Sequence, residues 1–257
     1  MMQVEYRYLK YRSENGLNII TLDRPPLNVL TIDMMEEMIT ALQQADAEPS
    51  SLILLEAAGK AFSAGVDVGD HTADKVEQMM DVFERLFVAM AGLAKPVVAA
   101  VQGAALGGGL EVVLMADMIL ASEKARCGQP EVTVGVFPPL ACMMLPRLLP
   151  WPQAMELLLG GGTIDAARAR ELGLVNAVFP PEEFASAVAG WLTRFAQLSP
   201  VVLSLTKKAA RMGTGEDFAA TLSAIDTVYL SELMKTADAA EGLQAFLEKR
   251  KPVWQGK

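Results

Sequence analysis

Glu111 stands in the stretch GAALGGGLEVVLMAD, residues 103–117, with glycines before it and hydrocarbon after it. If a helix starts at these glycines, the residues three and four positions from Glu111 are Gly107, Gly108, Leu114 and Met115, and none is charged. A carboxylate so placed is buried, and burial without a counter-charge raises its pKa. Beside a ligand-binding loop such a group suits acid–base chemistry; a carboxylate hydrogen-bonded to buried backbone is the alternative. Glu131 follows in CGQPEVTVG, where Pro130 and the flanking glycines mark a turn after a strand. Turns of that kind often carry reactive groups, although taken alone Glu131 reads as an exposed loop acid.

The glycines Gly107, Gly108 and Gly109 match neither a phosphate-binding GxxxxGK[ST] loop nor a GxGxxG fingerprint. Two readings remain. Glycine either lets a helix pack closely on a strand, or lets a backbone N–H at a helix N-terminus approach a ligand. A second glycine-containing loop, AFSAGVD (residues 61–67), also follows an apolar strand-like run. Two such loops could aim one N–H each at a single oxygen, which is an oxyanion hole. A Ser-His-Asp hydrolase is not indicated: His71 is the sole histidine, it sits in a polar stretch that reads as surface loop, and no GxSxG precedes a helix. Cys127 and Cys142 have neither CxxC nor zinc spacing and read as reduced thiols.

The elements that must position these groups alternate. VEYRYLKY and LNIITL read as two strands joined by a hairpin at Glu14-Asn15-Gly16. DRPPLNVL is a loop. From an N-cap at Thr31, a helix places Met34, Met38, Leu42 and Ala45 on one face. SLILLEAAG and KPVVAAVQG are buried strands, DKVEQMMDVFERLFVAMAGL a long amphipathic helix, and MILAS a further strand. KAFSAGVDVGD reads as loop. Strand, glycine loop and helix in repetition is α/β logic. After about Pro150 the pattern turns helical: PQAMELLLGG, TIDAARARELGL, PEEFASAVAGWLTRFAQLS, PVVLSLTKKAARMG and EDFAATLSAIDTVYLSELMKT, with only VNAVFP extended.

The 257 residues, 52% of them hydrophobic, suit one large domain or a domain with an appendage. No apolar run is long enough to span a bilayer, and the polar N-terminus lacks a secretory h-region, so the expected location is cytoplasmic. A net charge of −9 disfavours nucleic acid and anionic membranes as partners. The basic tail EKRKPVWQGK, residues 248–257, is the local exception; a solvated helix end is its simplest reading.

Together and in chain order, LDRPPLNVL, AFSAGVD, KPVVAAVQGAALGGGLEVVLMAD, CGQPEVTVGVFP, ARARELGLVNAV and EGLQAFLEKRKP resemble the crotonase family of enoyl-CoA hydratases and isomerases over nearly the whole chain. The resemblance implies an α/β fold: a crotonase-like spiral of ββα units over residues 1–197, then a helical C-terminal region, 198–257, that builds trimers, often stacked as hexamers. It implies an acyl-CoA thioester ligand, with coenzyme A as part of the substrate and no separate cofactor or metal. By the same resemblance Ala64 and Gly108 supply the oxyanion-hole N–H groups. Ala64, Gly65, Val66, Asp67, Val68 and Gly108 contact substrate or its CoA moiety, and the basic tail reaches CoA phosphates. Glu111 orients and activates water, and Glu131 donates the proton. One segment departs from the common pattern: FPPLACMMLPRL, residues 137–148, stands where hydratases carry a glycine-rich PGAGGTQRL-like run. With DRPPLNVL and AGVDVGDHTADKVEQMMDVFERLF, it looks most like family members that hydrate cyclohexa-1,5-diene-1-carbonyl-CoA in anaerobic aromatic breakdown. A general short-chain enoyl-CoA hydratase is the alternative, and a non-catalytic relative binding acyl-CoA or RNA is a third reading.

Overall fold

The computed structural model describes residues 5–71, 75–212, 232, 235–238, 241, 245 and 248–257, without the side chains of Val68 and His71. β1 (Leu9–Glu14) and β2 (Leu17–Leu22) pair antiparallel with Glu14 opposite Leu17. Asn15 and Gly16 between them both take positive φ, 52° and 75°, as a two-residue hairpin turn of matching twist requires. That turn sets the register, so β1 starts later than the alternation in VEYRYLKY suggests. Tyr6 and Tyr8 instead reach α1 (Ile32–Ala47): the Tyr6 hydroxyl donates to Gln44 Oε1 at 2.7 Å and the Tyr8 N–H to Glu37 Oε2 at 2.9 Å. The Thr31 hydroxyl accepts from the Met34 N–H and caps α1, and Met34, Met38, Leu42 and Ala45 are all fully buried.

From β3 onward a long strand, a short strand and a helix recur. β3 (Leu52–Ala57) and β4 (Ala61–Ser63) precede α2 (Val76–Gly92); β5 (Val97–Val101) and β6 (Ala104–Leu106) precede α3 (Gly108–Leu114). β7 (Met118–Ser122) and β8 (Arg126–Gly128) precede a 3₁₀ turn (Pro130–Val134), α4 (Pro139–Leu148) and α5 (Trp151–Gly160). β9 (Thr163–Asp165), α6 (Ala166–Glu171), β10 (Ala177–Phe179), α7 (Phe184–Ala196) and α8 (Pro200–Met212) follow. The long strands and the three-residue β10 form a six-stranded sheet, β1-β2-β3-β5-β7-β10, parallel beyond the first hairpin. The short strands form a second sheet, β4-β6-β8-β9. This is the expected spiral of ββα units.

Three expectations change at the short strands. AFS, read as loop, is β4; the start of the Gly103–Asp117 stretch is β6; and TID, read as the start of a helix, is β9, with Asp165 then capping α6 through the Arg168 N–H at 2.8 Å. Three residues show too little alternation to announce a strand; pairing with neighbours distant in sequence makes them one.

The large sheet is covered on both faces. On β2 and β3, Ile20, Leu22, Ile53 and Leu55 enter the core shared with α1, α2 and α3, while Leu17, Ile19, Leu52 and Leu54 face α7. Burial on both faces is why β3 reads as a nearly continuous apolar run. Among the described residues no helix is long and apolar enough to cross a membrane. α8 is fastened at Lys207, whose buried Nζ donates to the Lys95 carbonyl and pairs with Asp117, each at 2.7 Å. The helix expected at EDFAATLSAIDTVYLSELMKT lies almost wholly outside the described residues.

Candidate active site

The two glycine loops meet. β4 delivers residues 64–67 alongside the segment before α1, where Val66 forms a parallel bridge with Leu30. The backbone donors there can be followed one by one. The Ala64 N–H donates to the Leu27 carbonyl at 3.0 Å, the Gly65 N–H to Ser63 Oγ at 3.1 Å, and the Asp67 N–H to the Leu30 carbonyl at 2.9 Å. Leu30 reaches back to the Gly65 carbonyl at 2.8 Å. In a parallel bridge the bonds run to the residues flanking Val66, so its own N–H points away from Leu30. That N–H has no partner among the described residues.

This corrects the expected oxyanion donor. Ala64 has spent its N–H on Leu27, and the open donor of this loop is Val66. The Gly108 N–H is open as well. Gly107 N–H donates to the Gly128 carbonyl at 2.9 Å and the Gly107 carbonyl accepts from Glu111 N–H, leaving the Gly108 N–H as the first open donor of α3. A Cβ on Gly65 would lie 3.6 Å from the Gly108 nitrogen, so the two loops are in contact. Gly108 itself has no room for a side chain: its Cβ would fall 2.6 Å from Val66 Cγ2 and 3.3 Å from the Phe83 ring. Gly108→Val is therefore expected to lower kcat/KM for a thioester by about a hundredfold or more and to weaken acyl-CoA binding in a titration. Unchanged affinity and rate would remove Gly108 from the site.

Two buried polar residues outside the expected set shape the first loop. Asn28 Nδ2 donates to the Ala58 and Ala61 carbonyls at 2.8 and 2.9 Å, and the Ser63 hydroxyl donates to the Asn28 carbonyl at 2.7 Å. Their only sequence signal is polarity inside LNVL and AFSAG. Asp67 closes its own turn, with Oδ1 accepting from the Gly69 N–H at 2.9 Å. Val68 begins a 3₁₀ turn that ends at His71.

Glu111 is 2% exposed on α3. Its Oε1 accepts the Ala141 N–H at 2.9 Å, in the first turn of α4. Burial pushes its pKa up to about 7, the Ala141 N–H opposes that, and the charge of Glu131 adds to the rise. Glu111 is thus both desolvated and tied to buried backbone. Pro138 and Pro139 open α4, where a missing N–H costs nothing; the donors that follow turn toward Glu111.

Glu131 is half-buried in the 3₁₀ turn after β8 and not the free loop acid its local sequence suggests. A Cβ on Gly107 would lie 2.4 Å from its Oε1, so the bare glycine makes room for the carboxylate at the N-terminus of α3. The fully buried Gln129, with its amide nitrogen turned to Glu131, places that nitrogen 3.0 and 3.3 Å from the two carboxylate oxygens. Gln129 escaped the sequence reading because it stands beside Glu131 in a segment read as turn. Cys127 is buried in β8, and the exposed Cys142 lies on α4 within the field of both glutamates.

The basic tail folds onto its own chain. Arg250 pairs with Glu241 and Glu248, and Trp254 Nε1 donates to the Gln197 carbonyl at 2.7 Å.

Open N–H groups on two loops in contact, with a carboxylate from α3 and another from the turn after β8, are the kinds of group that stabilise an enolate and move protons. The family model for enoyl-CoA hydratase/isomerase matches residues 12–257. The chain belongs to the enoyl-CoA hydratase/isomerase family. It is 35% identical over 245 residues to the cyclohexa-1,5-dienecarbonyl-CoA hydratase of Thauera aromatica, covering 95% of each chain. It is 35% identical over 252 residues to a Rhizobium meliloti protein named probable enoyl-CoA hydratase, covering 96% of this chain and 98% of that one. Among solved structures, an enoyl-CoA hydratase subunit from Geobacillus kaustophilus superposes with a TM-score of 0.91 at 33% identity, over 99% of this chain and 100% of that one. An enzyme of the hydratase type is thus the class to which both site and kinship point.

Proposed function

We propose that this enzyme adds water to the conjugated double bond of a cyclic dienoyl-CoA, converting cyclohexa-1,5-diene-1-carbonyl-CoA to 6-hydroxycyclohex-1-ene-1-carbonyl-CoA in anaerobic aromatic degradation. The observation that carries the hydratase chemistry is the pairing of a buried Glu111 with Glu131 beside the open N–H groups of Val66 and Gly108. Conjugation makes the β-carbon electrophilic. As water attacks, charge moves to the thioester oxygen, where the two N–H groups receive it. In the reactive form the pair holds one proton: ionised Glu111 takes the proton from water, protonated Glu131 supplies its own to carbon, and the proton taken up by Glu111 returns to Glu131 to close the cycle. In a conjugated ring the charge spreads over a dienolate, so protonation can occur at the vinylogous carbon. The reaction is redox-neutral, and coenzyme A enters only as part of the substrate.

Support for the cyclic acyl group is the similarity to the Thauera aromatica hydratase together with Pro138 and Pro139, which replace glycines at the start of α4. A short linear enoyl-CoA is the second reading, favoured by relatives named as probable enoyl-CoA hydratases. The same reading places the enzyme in the cytoplasm as a homotrimer or a hexamer. Side-by-side hydration of cyclohexa-1,5-diene-1-carbonyl-CoA and crotonyl-CoA, followed by mass, tests it. Preference for the cyclic diene is expected. Preference for crotonyl-CoA makes this a general short-chain hydratase, and turnover of neither points to another crotonase chemistry or to the non-catalytic relative.

A further inference from the structure

We infer that Phe83 is a specificity-determining residue: the tip of its ring limits the bulk an acyl group can carry on the carbon next to the thioester. The inference rests on the proposed reading only for where the thioester oxygen sits. Phe83 lies on α2 and is 4% exposed, with its ring edge-to-face against Phe87 at 4.5 Å between centroids. Its distal atoms Cε2 and Cζ stand 3.3 and 3.4 Å from where a Cβ on Gly108 would be, beside Val66 Cγ2. An oxygen bonded to the Gly108 N–H at about 2.9 Å therefore has this ring tip bordering the first atoms of the acyl group.

That location bears on ring against chain. In a ring-borne thioester the α-carbon holds a second carbon substituent; in a linear 2-enoyl thioester it holds hydrogen. The wall beside the α-carbon decides between them. The Phe87 contact holds the Phe83 ring in place, so the wall cannot swing aside cheaply.

The test is a minimal substrate pair, crotonyl-CoA and its 2-methyl homologue, with wild type, Phe83→Leu and Phe83→Trp. Leucine ends short of the atoms that border Gly108; tryptophan extends past them. The ratio of kcat/KM for the methylated over the plain substrate is expected to rise about tenfold in Phe83→Leu, the scale of one carbon's worth of pocket space, and to fall in Phe83→Trp. Opposite shifts separate a specificity wall from general loss of packing, which lowers both substrates alike. Dissociation constants for butanoyl-CoA and 2-methylpropanoyl-CoA give the same comparison without turnover. If hydration is absent but these constants move in opposite senses, the proposed reaction fails and the wall stands. A ratio unchanged within about twofold in both variants, far below one carbon's worth, or no acyl-CoA binding at all, overturns the inference.

Discussion

Glu111→Gln is expected to lower kcat for hydration by roughly a hundred- to ten-thousand-fold, the range for a lost acid–base group, and at the same time to stabilise the fold above neutral pH. The stability effect follows from a carboxyl pKa of about 7 in the folded protein against an ordinary 4.5. The folded chain holds this proton more tightly than the unfolded chain does. The contribution, on the order of 3 kcal/mol, is full below about pH 4.5 and is lost as pH rises through about 7. Glutamine stays neutral and can still accept the Ala141 N–H through its side-chain oxygen. Urea unfolding at pH 5 and pH 8 measures the difference: the variant should gain on the wild type as pH increases. The wild-type kcat should decline below about pH 7 as the pair takes up a proton, with the apparent pKa belonging to both glutamates. Near-normal turnover in the variant, or equal stabilities at pH 8, would sink the assignment of Glu111 as a desolvated base.

The second large effect is expected from a single methyl group. Gly107 has φ 52° and ψ −130°, and a Cβ there meets Glu131 Oε1 at 2.4 Å and its carboxyl carbon at 3.2 Å. Gly107→Ala must strain the backbone, by about 1–3 kcal/mol, and push Glu131 away. A displacement near 1 Å at a reacting group costs about a hundredfold, so kcat should fall by that order. The Val66 and Gly108 N–H groups stay in place, and acyl-CoA affinity should change little. The contrast with Gly108→Val, where binding itself suffers, separates the two glycines. A Gly107→Ala enzyme that loses affinity but keeps kcat would contradict the placement of Glu131. A crystal structure of the variant with an unmoved Glu131 would do the same.

Much of this site was legible in the order of residues. An acid with only apolar neighbours at helical spacing had to be buried, and Glu111 is. Apolar runs without alternation had to be strands covered on both faces, and β3 and β5 lie between the α1–α3 core and α7. Thr31 as a cap and the Met34–Ala45 stripe are local properties, set by spacing within one helix. The family resemblance added the expectation of two oxyanion loops and two glutamates, and the loops do meet.

What tertiary structure decided is everything that depends on a partner far along the chain. Which N–H of AFSAGVD is open was settled by Leu27, Ser63 and Leu30, which consume the donors of Ala64, Gly65 and Asp67 and leave Val66. The small sheet exists because three-residue segments find each other across the spiral, not because any of them favours extension alone. Glu131, a loop acid by its local sequence, became half-buried because Gly107 leaves space for it and Gln129 backs it. The pKa of Glu111 is raised first by burial, with the α4 backbone N–H groups opposing and the charge of Glu131 adding to the rise. Spacing along a chain determines which face a side chain takes. Only packing determines what stands opposite, and at this site that decides which donor is open and which acid holds a proton.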